Sequence, residues 1–274
     1  MSQQSEPGRP GGLRGRVKGA LARLDRGAPA QDATLLIYHR VGGGTRDELD
    51  LEVDTFARQV ALLDGRDVLS LDGALDRLDA GDARPSVVLT FDDGFTDVYD
   101  NAWPLLREHR LPFTIYLATA FMGEPMRWEH STARGTPGQG LSWRQLEEML
   151  ASGLCTIGNH THHHVRPEAL TEDELDACSS AAEEALGVRP RHFTYPWGIA
   201  VPAMEGALRA RFRSASTGEL GRNAPDCDRM RLRRVPVRRT DPDEFFAAKL
   251  TGRLLPERAY ATTVSAAKAL GVRA

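Results

Sequence analysis

Five short runs rich in β-branched and aromatic residues recur along the chain: TLLIYH (34–39), SVVLTF (86–91), PFTIYLAT (112–119), LCTIGN (154–159) and RHFTYP (191–196). Turn formers bound each run, and helical patterns lie between them. Strand, helix, strand, repeated several times, requires crossover connections and therefore implies a largely parallel sheet. Helix starts are legible too. Ser142 with Gln145 and Thr171 with Glu174 have capping-box spacing, and Asp241 followed by Pro242 and Glu244 reads as a further helix N-terminus. With 274 residues, a single α/β barrel is favoured over an open sheet, since such barrels take about 250 residues as one unit.

Composition narrows the class. The chain is 41% hydrophobic and 27% charged, an ordinary globular balance, and its net charge of −3 gives no bias toward nucleic acid. Cys155, Cys178 and Cys227 are odd in number and too widely spaced for a CxxC pair, which argues against a disulfide framework and for a reducing compartment. Residues 1–32 hold no apolar run of signal-peptide length, and no stretch approaches the ~18 apolar residues of a membrane span, so a cytoplasmic location is expected. Residues 1–32, rich in Gly, Pro and Arg, are expected as a basic flexible arm ahead of one domain over 33–274. The glycine-rich stretch 122–141 is the expected long mobile loop.

Polar residues suited to chemistry gather at the carboxyl ends of these runs, where parallel α/β folds place their sites. His39 ends the first, Asp92 and Asp93 follow SVVLTF, GNHTHHHV (158–165) follows LCTIGN, and Tyr195 to Gly198 follow the last. In an extended strand, His160 and His164 would stand ~13 Å apart, too far to grip one ion. In a helical turn, His160 with His164, or His160 with His163, would form a chelating pair. Adjacent Asp92 and Asp93 point their side chains apart, so one can ligate a metal while the other faces the reacting water. Two histidines and one carboxylate leave an open position, the pattern of a catalytic site. A solvated polar turn and an acidic DG turn are the plainer readings of these same residues.

TFDDG (90–94), the H-T-x-x-H spacing of His160, Thr161 and His164, and FTYPWG (193–198) resemble, in order and spacing, the metal-dependent polysaccharide deacetylases of the NodB-homology type. IYHRV (37–41) and RRVPV (233–237) resemble the branch acting on poly-N-acetylglucosamine-type glycans. The resemblance covers residues 34–240 and implies a distorted (β/α) barrel of about seven strands. It implies Asp93, His160 and His164 as ligands of zinc or a similar divalent cation, Asp92 as general base and His39 as general acid. Tyr195, Pro196 and Trp197 would line the substrate and oxyanion side, with the Trp197 backbone N–H the positional match for an oxyanion donor. His162 and His163 have no assigned role. The chain departs from the broad pattern in having no histidine beyond His192, and in carrying Thr194 where many relatives have an arginine that steadies the base. Arg238 or another nearby arginine is then the candidate substitute. The implied activity is removal of an N-acetyl group from an acetamido sugar in a glycan or glycoconjugate. A same-fold hydrolase of another amide or imide, or a silent sugar-binding module, are the alternatives.

Net charge hides two basic segments. Residues 209–239 hold ten arginines against Glu219, Asp226 and Asp228, a set that could bind a phosphorylated substrate near the barrel mouth or simply pair with acids elsewhere in the chain. LRGRVKGALARLDR (13–26) places Leu13, Val17, Leu21 and Leu24 at helical spacing among Arg14, Arg16, Lys18 and Arg23, the pattern of a helix resting on an anionic membrane surface.

Overall fold

The computed structural model describes residues 12–25, 31–128 and 138–269. Its centre is a closed barrel of seven parallel strands, β1 (Ala33–Tyr38), β4 (Ser86–Phe91), β5 (Phe113–Leu117), β6 (Cys155–Asn159), β7 (His192–Thr194), β8 (Ser214–Leu220) and β9 (Leu232–Pro236), with β9 returning to β1. Two short strands, β2 (Arg40–Val41) and β3 (Asp50–Leu51), pair outside it. All six residues of β1 and all six of β4 are buried, as expected for barrel strands covered on both faces. Tyr38, Phe56, Phe91 and Phe113 pack edge-to-face or stacked at 5.1–6.1 Å between ring centroids, filling one side of the core.

The five expected strands are present: β4 keeps its expected bounds, β1 is shifted by one residue, and β5, β6 and β7 are shorter than expected by one to three residues. β8 and β9 close the barrel, although neither has the run of large β-formers that marks the others.

Helices wrap the barrel: α2 (Val53–Ala61), α3 (Leu71–Asp79), α4 (Trp103–Glu108), α5 (Trp143–Ala151), α6 (Glu172–Leu186), α7 (Glu205–Arg211), α8 (Asp243–Leu250) and α9 (Leu255–Ala269), preceded by α1 (Leu13–Leu24). Ser142 and Gln145 form the full capping box of α5, and the Thr171 hydroxyl accepts from Glu174 N at α6. Pro242, not Asp241, caps α8. The Asp241 carboxylate turns inward instead, accepting from Lys18 Nζ at 2.8 Å and Lys249 Nζ at 2.6 Å.

That contact corrects the expectation for the N-terminal segment. Residues 13–24 are not a free arm but a helix packed on α8 and α9, with Lys18 wholly buried between Thr240, Asp241 and the Tyr260 ring. Residues 1–11 and 26–30 lie outside the described residues, as do 129–137 of the expected mobile loop. The flanks of that loop are tied together, Met126 N donating to Gly138 O at 2.9 Å and Gly140 N to Glu124 O at 2.9 Å. The three cysteines are free thiols. No helix among the described residues is long and apolar enough to cross a membrane.

Candidate active site

Register places the chemistry. Tyr38 pairs with Phe91 and Leu117 with Asn159, so His39, Asp92 and His160, each the residue after its strand, come out at one rim of the barrel. Backbone strain gathers there as well: Asp93, Thr161, His164 and Trp197 are four of the six described non-glycine residues at positive φ. Such conformations persist only where surrounding packing imposes them.

The histidine turn is not the helical turn considered from sequence. Asn159 anchors it, its Nδ2 donating to Leu175 O at 2.8 Å and Ser179 Oγ at 3.0 Å while its Oδ1 accepts from Thr161 N at 2.9 Å. Thr161 (φ 66) and His164 (φ 51) then take left-handed conformations that fold His164 back beside His160, with ring centroids 4.8 Å apart. Of the two candidate pairs, His160 with His164 converges. His163 turns out to Glu174 (2.8 Å) and His162 to the Thr119 hydroxyl (2.8 Å).

Asp93 completes the group. Its Oδ1 lies 3.3 Å from His160 Nε2 and 3.4 Å from His164 Nε2, and one ligand atom from each residue falls within 4.8 Å of the others. His160 Nδ1 donates to Thr194 O at 2.8 Å, which leaves the Nε2 lone pair aimed at the cluster. Burial pushes the His164 imidazole down to about 4, more than the Asp93 charge pulls it up, so it is neutral at neutral pH. Burial alone would raise Asp93, but its contacts with His160 and His164 outweigh it and hold the carboxyl below its usual range. Two imidazoles and one carboxylate, all buried, are a donor set that fits a divalent cation.

Asp92, the neighbour, points the other way. Arg234 grips it with both arms of the guanidinium, Nη1 to Oδ1 at 2.7 Å and Nη2 to Oδ2 at 2.8 Å. Arg234 is itself fully buried, held by Thr217 O (3.0 Å) and the Thr90 hydroxyl (3.3 Å). Burial would raise the Asp92 carboxyl, but the Arg234 charge and hydrogen bonds more than offset it and keep the group ionised. The arginine missing at Thr194 is thus supplied from β9. Arg238 is not that substitute, because it pairs with Glu257. The Thr194 hydroxyl donates to Ser216 O while its carbonyl orients His160.

These groups open into one cavity of about 370 Å³, bordered by His39, Asp92, Asp93, His160 and His164, with Trp128 and Trp197 as apolar walls. Trp128 stacks on His164 at 4.4 Å, and Trp197 lies 5.4 Å from the same ring. His39 Nδ1 is buried without a protein partner. One side of the cavity is bare main chain: Gly198 and Gly218 meet so closely that a Cβ on Gly198 would come within 2.7 Å of Gly218 Cα. Tyr195 and Pro196, expected on the substrate side, do not border the cavity. The Tyr195 ring packs with Phe193, Leu208 and Phe212 in the core, and of that turn Trp197 and Gly198 reach the opening. Trp128 was not singled out by sequence because it lies in the glycine-rich loop, with no pattern to flag it.

Of the ten arginines of 209–239, Arg234 and Arg238 border this cavity and the other eight do not. Each of the ten has a carboxylate within 4.0 Å: Arg211 takes Glu172 and Asp176, Arg213 takes Asp72, Asp76 and Asp79, and Arg239 takes Glu52, for example. The remaining seven pair with Asp228, Asp32, Asp79, Glu205, Glu219, Asp92 and Glu257 in turn.

Comparison with known proteins agrees with the geometry. Residues 79–210 match the polysaccharide deacetylase family model. The chain is 27% identical over 167 residues to a poly-beta-1,6-N-acetyl-D-glucosamine N-deacetylase of Staphylococcus epidermidis, covering 56% of this chain and 55% of that protein. It is 26% identical over 164 residues to the putative polysaccharide deacetylase YxkH of Bacillus subtilis, covering 57% and 54%. The chain therefore spans about half the length of these curated relatives. Among solved structures, IcaB from Ammonifex degensii superposes with a TM-score of 0.70 at 29% identity over 82% of this chain and 99% of that one. The deacetylase PplD of Streptococcus pyogenes shares the fold, with a TM-score of 0.64 at 21% identity over 79% and 97%. Asp92, Asp93, His160 and His164 all lie inside the segment, residues 79–210, that matches the polysaccharide deacetylase family model.

Proposed function

We propose that this protein is a zinc-dependent N-deacetylase that hydrolyses the acetamido group of N-acetylglucosamine units in a β-linked glycan. The carrying observation is the division of labour between adjacent carboxylates, Asp93 joined to His160 and His164 and Asp92 locked by Arg234, within one tryptophan-walled cavity. Support for the sugar comes from the S. epidermidis relative, whose name gives poly-beta-1,6-N-acetyl-D-glucosamine as its substrate.

Asp93, His160 and His164 hold the cation. When bound, a divalent ion supplies Lewis-acid polarisation of the amide carbonyl and makes water more acidic. Asp92 is kept ionised by Arg234 and accepts the proton of the attacking water. An anionic carboxylate retains acceptor capacity beyond the two bonds Arg234 occupies. His39 stands in the same cavity and donates the proton that the departing amine requires. Trp197 carries positive φ next to Gly198, and its backbone N–H serves the oxyanion. The two indole walls exclude water and offer apolar faces to a pyranose ring.

The test is acetate release from N-acetylglucosamine oligomers by the chelated and zinc-reloaded protein, with a non-sugar acetamide as comparison. Zinc-dependent turnover confined to the oligomers is expected. Turnover of the simple amide alone would move the assignment to another amide substrate, and none on either would leave a sugar-binding module.

A further inference from the structure

Helix α1 docks through its small and lysine-bearing face. Gly15, Lys18, Gly19 and Ala22 turn inward against α8 and α9, with Leu21 partly buried beside them, while Leu13 (79% exposed), Val17 (38%) and Leu24 (78%) point to solvent. A helix that buries its lysine and exposes three large apolar side chains on one face has a second apolar demand that the barrel does not meet. The inward lysine is fixed by Thr240 and Asp241, so the helix cannot roll to hide the leucines without stranding a buried charge.

A second feature lies at the carboxyl end of the same helix. A cavity of about 420 Å³ is bordered by Arg222, Arg233, Arg253 and Arg258, with Asp25 and Asp32 the only carboxylates among its described walls. Leu255, 64% exposed, stands on its edge, and Asp25 directly follows Leu24, so the apolar stripe runs into the arginine cluster. Arg16 and Arg23 flank the stripe itself, both exposed. Leucines interleaved with guanidinium groups match an interface in which acyl chains lie beneath phosphate headgroups.

We propose that the outward face of α1 and the arginine-lined cavity at its carboxyl end seat this protein on an anionic phospholipid surface. Leu13, Val17, Leu24 and Leu255 enter the headgroup–acyl boundary, and the cavity arginines take lipid phosphate through paired N–H donors. The inference is independent of the deacetylase reading, since none of these residues borders the active-site cavity.

The test is co-sedimentation of the full chain with phosphatidylcholine vesicles, with and without phosphatidylglycerol. Three proteins are compared: the parent, Leu13→Gln/Val17→Gln/Leu24→Gln, and Arg233→Gln/Arg258→Gln. All five substituted side chains are outward, so circular dichroism and thermal midpoint should match the parent. Binding to the anionic vesicles alone is expected, weakened on the order of 100-fold in the leucine variant and roughly fivefold per arginine removed. Equal pelleting on both vesicle types, no pelleting, or undiminished pelleting of the leucine variant overturns the proposal. A parent dimer that becomes monomeric in the leucine variant, without vesicle binding, would assign the face to a second copy and overturn it equally.

Discussion

Arg234 and Asp92 are 142 residues apart in the chain and meet through two parallel hydrogen bonds of 2.7 and 2.8 Å, both side chains buried. Replacing the arginine leaves a carboxylate in the interior with its main counter-charge gone. Arg234→Met should lower kcat by about 100-fold or more and destabilise the fold by roughly 3–5 kcal/mol. Arg234→Lys, which keeps charge but loses the fork, should fall between that variant and the parent. Steady-state kinetics and urea melts check both. Parental kcat in a folded Arg234→Met protein would show that Asp92 needs no such support.

The ion-binding residues separate cleanly from their neighbours in sequence. Asp93→Ala, His160→Ala and His164→Ala should each lose bound zinc by atomic emission, whereas His162→Ala and His163→Ala should keep it. The distinction rests on where each ring points, His162 to Thr119 and His163 to Glu174. Stoichiometric zinc in the His164 variant would remove that residue from the set.

Base and acid differ from ligands in what their loss spares. Asp92→Asn and His39→Ala should retain the metal while turnover falls by about 100-fold to 10,000-fold. Undiminished turnover in His39→Ala would place the proton donor elsewhere.

The buried cluster of Lys18, Asp241 and Lys249 makes a pH-dependent contribution to stability. Burial would raise Asp241, but the Lys249 and Lys18 charges outweigh it and hold the carboxyl below its ordinary range. A depressed carboxyl stabilises the fold above its unfolded value and loses that contribution as pH falls through the folded value. Urea midpoints should therefore drop on acidification more steeply in the parent than in Asp241→Asn. Lys18→Met should cost roughly 3–5 kcal/mol at neutral pH, as breaking one partner of a buried pair does. A melt unchanged by that substitution would mean α1 adds nothing to the domain.

What sequence revealed follows the range of the interaction involved. The strand cores at 86–91 and 155–159 and the caps at Ser142 and Thr171 depend on neighbours within a few residues, and local pattern exposes them. Spacing left His160 to pair with either His163 or His164, and the left-handed turn that selects His164 depends on Asn159 reaching α6. Arg234 was one arginine among ten until the barrel closed and brought β9 beside β4 through β1. The docking of helix α1 was hidden for the same reason, since Lys18 is drawn inward by Asp241, 223 residues away. β8, SASTGEL, is small and polar, and its place is set by strands it meets late in the chain.

The contact of Gly198 with Gly218 has an evolutionary consequence. Where two main chains touch, no side chain can be grown, so neither position can acquire a new substituent without moving a strand. That wall of the cavity is closed to the ordinary route of divergence by point substitution. Change in this cavity must fall instead on bordering positions that carry side chains, such as Leu49, Trp128 and Arg238, which can change length and polarity while the backbone stays in place. Sequence differences among proteins sharing this frame should accordingly be dense at those three positions and sparse at the two glycines.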